Sequence, residues 1–119
     1  MSDVKQLDDE LNNMILTGQV MDGFEKFYAD DVTMQENFDA PNVGKEACRA
    51  HEMEFFAAVE EFHSAKLISS GVGEGGVTFG EWEYEITFKG GGRVTMSQVA
   101  VRRWKDGQVA SERFYYNKG

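Results

Sequence analysis

The feature that most limits what this chain can fold into is a change of hydrophobic period near His63. Before it, apolar residues recur every three or four positions; after it, they alternate. The first spacing gives a helix with one buried face and the second gives a strand with one buried face. Helices gathered in one half and strands in the other predict an α+β fold rather than alternating βαβ units. No internal repeat or linker interrupts the pattern, and 119 residues suit a single domain, 1–119.

In the helical half, Leu7, Leu11, Met14 and Ile15 form one stripe over Asp3 to about Thr17, and Gly18 suits a helix C-cap. A short second helix covers Val20 to Tyr28, with Phe24, Phe27 and Tyr28 inward, and ends at Asp30-Asp31. Val32 to Glu36 reads as a short strand that places Val32, Met34 and Glu36 on one face. Asn37 to Asn42, with the only proline, is a loop. A third helix is expected from Gly44 or Lys45 to about Phe62, with Ala47, Cys48, His51, Phe55, Ala58, Val59 and Phe62 inward.

The second half predicts strands at Ala65–Gly71, Val77–Phe88, Arg93–Trp104 and Gln108–Tyr116, all antiparallel. Gly71 to Gly76, Gly90-Gly91-Gly92 and Asp106-Gly107 supply the turns between them. Along the longest strand, Gly80, Trp82, Tyr84, Ile86 and Phe88 share one face, and Glu81, Glu83, Glu85 and Thr87 share the other. Nine Phe, four Tyr and two Trp are more than a small helical core requires, which points to an aromatic-lined interior.

The formal charge of −9 opposes binding to nucleic-acid phosphates and to anionic membranes. Residues 1–6 lack the apolar stretch of a signal peptide, and no run reaches the ~20 apolar residues that span a bilayer. The expectation is a cytoplasmic protein. Cys48 is the only cysteine, so no intrachain disulfide and no multi-cysteine metal site is expected. Two histidines far apart, without HExxH, argue against a metal, and Gly71 to Gly76 lacks the Gly-Lys-Ser/Thr of a phosphate-binding loop. No cofactor is expected.

Phe27-Tyr28-Ala29-Asp30-Asp31-Val32, then Val43-Gly44-Lys45-Glu46-Ala47-Cys48-Arg49, resembles the SnoaL-like, ketosteroid-isomerase-like branch of the nuclear-transport-factor-2-like superfamily. The ending, Arg103-Trp104-Lys105-Asp106-Gly107-Gln108-Val109 through Glu112-Arg113-Phe114-Tyr115-Tyr116-Asn117, is similar to that family's last hairpin. The resemblance implies a cystatin-like cone: three N-terminal helices packed on a curved antiparallel sheet that encloses a pocket for a small apolar ligand. It also implies homodimers through the convex sheet face; by strand alternation that face is either solvated, with cross-strand charge pairs, or an interface with Val99, Val101 and Tyr115 at its apolar centre. Members range from isomerases, polyketide cyclases and hydrolases to noncatalytic binders, so the fold alone does not set the function.

Within that frame, Glu36 matches the position of the family's general base. A carboxylate at an apolar pocket mouth has its charged form disfavoured, which suits proton transfer. His51, on the inward stripe of the third helix, is the second catalytic candidate, because an imidazole shuttles protons near neutral pH. Met34, Phe55, Trp82, Tyr84, Gln98, Arg102, Glu112 and Tyr116 are the ligand-binding candidates. Arg102 and Glu112 are expected on one inward face of neighbouring strands, where mutual neutralisation is the favoured reading and a grip on a ligand carboxylate the other. Met14, Met21, Met34, Met53 and Met96 would make the interior adaptable. His63 reads as a boundary residue and Cys48 as an inert inward thiol.

The oxyanion donors of a steroid isomerase, a tyrosine and a protonated acid, fall on Leu11 and Ala100 by this resemblance, which argues against that activity. Two readings remain: an acid–base enzyme acting on a small apolar carbonyl or polyketide-like molecule, or a noncatalytic ligand-binding or dimerisation module.

Overall fold

The structure is a computed structural model that describes residues 3–117. Two helices, α1 (Val4–Leu16) and α2 (Val20–Phe27), precede strand β1 (Tyr28–Glu36) and a two-residue strand β2 (Asn42–Val43). Helix α3 (Lys45–Ala58) leads to β3 (Val59–Val72), a short 3-10 turn (Glu74–Gly76), β4 (Val77–Phe88), β5 (Arg93–Lys105) and β6 (Gln108–Tyr116). The strands form one sheet in the order β2-β1-β6-β5-β4-β3. The four long strands are antiparallel as expected. β1 joins the edge of β6 in parallel, so the sheet is mixed.

Three boundaries differ from the sequence reading: the end of α3, the start of β1, and the start of β3, which lies at Val59 rather than Ala65. Helix α3 stops at Ala58, four residues early, because Val59 and Phe62 already pair with Phe88 and Ile86 of β4. The ladder takes over the backbone groups that a longer helix would have used. β1 begins at Tyr28 rather than Val32, and β2 pairs with it at Thr33–Val43 and Met34–Asn42. β3 carries register shifts between Val59 and Glu61, Phe62 and Ser64, and Leu67 and Ser69. Each shift bends and twists the strand, and together they curl the sheet towards the helices. They also erase the strict alternation by which a strand is recognised in a sequence.

The fully packed core lies at one end. Leu11, Phe24, Phe27, Tyr28, Val32, Met34, Cys48, Trp104 and Val109 pack there with almost no exposure. Their burial is the main driving force for docking α1 and α2 onto β1 and β6. Trp82 and Ile86 are equally buried but stand apart from this cluster, on the concave face of β4. Gly80 makes room for that wall: a Cβ there would lie 2.8 Å from the Trp82 indole nitrogen. On the convex face, Glu81 pairs with Val99 and Glu83 with Ser97, and Phe79, Val99 and Tyr115 are about 40% exposed. No helix among the described residues is long and apolar enough to cross a membrane.

Candidate functional site

The space between the helices and the concave face is hollow, with a cavity of about 780 Å³. That is the size of a pocket for a drug-sized molecule. Glu36, His51, Met34, Phe55, Trp82, Tyr84, Gln98, Arg102 and Glu112 all line it. Tyr116 stands behind Glu36 instead, and its hydroxyl donates to Glu36 Oε1 at 2.5 Å. Met21, Met53, Met96 and His63 also line the cavity, whereas Met14 packs against the core. Trp82 and Tyr84 stack in parallel with ring centres 5.8 Å apart and form one continuous wall.

At the closed end, seven polar side chains are joined in one hydrogen-bonded network. Arg102 on β5 donates through Nε to Glu112 Oε2 at 2.7 Å, and its Nη1 lies 2.9 Å from Asp8 Oδ1 and 2.6 Å from Asn12 Oδ1. Tyr28 donates its hydroxyl to Glu112 Oε1. Thr78 donates to Asp8 at 2.8 Å and accepts from the Trp104 indole at 3.0 Å. Asn12 donates to Asp8 at 3.2 Å. Burial works against the Arg102 charge, but Glu112, Tyr28 and Asp8 outweigh it and hold its pKa above the usual guanidinium value. Burial first and Glu112 second push Tyr28 well above the ordinary phenol range, so it remains a donor. Arg102 and Glu112 thus neutralise each other, the reading favoured from the sequence.

The open end is arranged differently. Glu36 ends β1 and meets His51 from the second turn of α3, with His51 Nε2 2.6 Å from Glu36 Oε2. Both Glu36 oxygens are therefore engaged, one by Tyr116 and one by His51. A carboxylate held in this way orients an imidazole: with the proton on Nε2, the basic lone pair is on Nδ1. Burial, then the bond to Glu36, raises the Tyr116 pKa and keeps its proton in place. His51 and Glu36 side chains are 39% and 33% exposed, which leaves them accessible at the cavity mouth.

Glu52, the next residue of α3, lines the cavity and has no hydrogen bond or ion pair among the described residues. Burial, then the charge of Glu112, pushes its carboxyl up to about 7. Sequence reasoning missed it because the helical stripe was drawn through His51. The signal was present: Glu52 lies four residues after the buried Cys48 and four before the lining Phe56. Asp8 and Asn12 were missed in the same way, as polar residues four apart beside Leu11.

Tyr84 is a further donor on the wall. Gln98 hydrogen-bonds to it, and burial raises its pKa, so the phenol is retained. Cys48 is enclosed, with its thiol 3.4 Å from the Asn42 carbonyl, and burial raises its pKa. It faces no base and serves as packing. His63 bonds Thr87 at 2.7 Å and lies beside Glu61. Among the described residues, no group of three or more His, Cys, Asp or Glu is placed to hold a metal ion.

Known proteins share this architecture. A Mesorhizobium loti protein provisionally described as a SnoaL-like polyketide cyclase superposes with a TM-score of 0.85 at 25% identity, over 97% of this chain and 100% of its own. A nuclear-transport-factor-2-like protein of unknown function from Burkholderia pseudomallei gives 0.82 at 14% identity, over 98% and 92% of the two chains. A Catenulispora acidiphila protein with a ketosteroid-isomerase-like fold, solved in complex with trimethylamine, gives 0.73 at 18% identity, over 88% and 81%. The last two likenesses speak to fold alone. No curated protein matches the sequence. The model of the SnoaL-like domain matches residues 2–116, and with the helices, mixed sheet and hollow interior described above, this chain belongs to the SnoaL-like domain family.

Proposed function

We propose that this protein is an acid–base enzyme that moves a proton on a small, mostly apolar carbonyl or polyketide-like molecule bound in the cavity, as an isomerase, cyclase or hydrolase would. The observation that carries the reading is the Glu36–His51 pair, 2.6 Å apart at the mouth of a 780 Å³ aromatic-walled cavity. His51 takes the proton at Nδ1, Glu36 orients the ring and stabilises the imidazolium that forms, and Tyr116 fixes Glu36. This reverses the roles expected from the resemblance, in which the acid itself was the base. Tyr84, with its own proton retained, is the donor available to a developing oxyanion.

The test is deuterium uptake, followed by NMR, into acidic C–H positions of a panel of small ketones and polyketide-like diketones. His51→Gln should lower the exchange rate by about 10²–10⁴-fold, the usual worth of a positioned base. Exchange equal in wild type and His51→Gln would reject the mechanism.

The second reading, a noncatalytic binder, is favoured by one observation. Leu11 and Ala100 occupy the places of the family's oxyanion donors, and both are buried apolar lining residues. Pocket ligands bound equally by wild type and Glu36→Gln, with no turnover by either, would support it. The convex face is proposed to pair with a second copy through Val99, Val101 and Tyr115, to be checked by light scattering on a size-exclusion column.

A further inference from the structure

The proton-transfer scheme leaves Glu52 without a task, and the charge inventory of the cavity suggests one. Its lining carries carboxyl groups at Asp22, Glu36, Glu52 and Glu112, and one permanent cation, Arg102. That cation spends its Nε and Nη1 on Glu112, Asp8 and Asn12, and its charge is balanced by the Glu112 and Asp8 carboxylates. Among the described lining residues no permanent positive charge is left unbalanced to meet an anionic ligand. Of the carboxyl groups, Glu112 is taken by Arg102 and Tyr28, Glu36 is taken by His51 and Tyr116, and Asp22 is exposed on α2. Among the described residues, Glu52 is the lining carboxyl that is both half-buried in the cavity and without a hydrogen-bond or ion-pair partner.

The walls point the same way. The field of Glu52 reaches the hydroxyls of Tyr28 and Tyr84. Tyr84 is stacked on the buried Trp82, and both line the same cavity as Glu52, so a carboxyl group and an aromatic pair border one space. Aromatic faces attract a cation through their quadrupole, and they do so most strongly where water is excluded. An overall charge of −9 adds long-range attraction for a positive ligand.

We propose that the molecule taken by this cavity carries a positively charged nitrogen, seated between the Glu52 carboxylate and the Trp82–Tyr84 wall. The proposal rests on the cavity being a ligand site, but not on any turnover there. Glu52 supplies the counter-charge, the rings exclude water from the ammonium group, and His51 and Glu36 at the mouth face the remainder of the molecule. Anions of the same shape are rejected, because they would bring a fifth negative charge among the four carboxyl groups of the lining.

Equilibrium binding to the purified protein, read by tryptophan fluorescence, tests this with three probes of one shape: benzyltrimethylammonium, its uncharged isostere with carbon in place of nitrogen, and benzylsulfonate. The cation should bind about tenfold more tightly than the isostere, and the sulfonate more weakly than both. Cation affinity should rise with pH until Glu52 is ionised, near 7. The charged groups that act on it are Glu112 on β6, His51 on its own helix and Glu36 on β1, and its own field reaches Tyr28 and Tyr84 on the walls. Glu52→Gln should abolish both the preference and its pH dependence, with thermal unfolding verifying that the variant is folded.

Equal affinity for cation and isostere in wild type, no measurable binding of the cation, or a preference that survives in folded Glu52→Gln would each overturn the proposal. The wild-type comparison stands whether or not the variant folds. Since deuterium exchange on ketones is read separately, loss of the cation preference leaves the His51 mechanism intact, and loss of exchange leaves the cation site intact.

Discussion

The two ends of the concave face use the same kinds of side chain to opposite effect. At the closed end, carboxylates, a guanidinium, an amide and hydroxyls hydrogen-bond to one another and are almost wholly buried. At the open end, Glu36, His51 and Tyr116 form a short chain at a partly exposed mouth, and Glu52 is left with no partner. Polar groups whose valences are closed hold the cone together. Groups with a valence to spare can act on a guest. Residue type does not separate the two ends; the completeness of the hydrogen bonding does.

The strongest way to break this comparison is at Arg102. Arg102→Ala strands Asp8 and Glu112 without their cation in a buried site, and unfolding by urea should show a loss of about 3–5 kcal/mol. A loss below about 1 kcal/mol would mean that water already reaches the closed end and that the two ends are not distinct.

Glu52 should respond with the opposite sign. Its carboxyl has a folded-state pKa of about 7 against 4.5 for an ordinary glutamate, so between those values the folded protein holds a proton that the unfolded chain releases. Stability therefore falls as pH rises through this window and is lowest once Glu52 is charged. Glu52→Gln should be more stable than wild type by about 2 kcal/mol near pH 8, after discounting for solvent, and equal to it near pH 4. Paired thermal melts at the two pH values measure the difference. A variant less stable than wild type near pH 8 would assign Glu52 to the structural set.

Tyr116→Phe is the mildest change. Glu36 keeps His51, and solvent can replace the lost donor at the half-buried mouth, so stability should move by no more than about 1 kcal/mol. A larger loss in denaturant titration would extend the saturated network from the closed end to the mouth.

Much of this was legible before any coordinates. The clean alternation from Val77 to Phe88 and from Arg93 to Trp104 is the pattern of one-sided strands, and the faces assigned to Trp82, Tyr84, Arg102 and Glu112 are those observed. The placement of Glu36 with Val32 and Met34 follows from the same two-residue period. The start of β3 was not legible, since its three register shifts break the period that marks a strand. Nor was Glu52, because an inward charged residue interrupts an apolar stripe and looks like its edge.

The chain on its own therefore settled the α+β division and the inward faces of the strands, and favoured the pairing of Arg102 with Glu112, because these depend on side-chain periodicity and on the rule that buried charges find partners. Tertiary structure alone decided that the cone is hollow, that β1 runs parallel to β6, and which carboxyl group has no partner. Those properties depend on how far curvature holds the helices from the sheet and on who neighbours whom across it, and neither is encoded in local spacing.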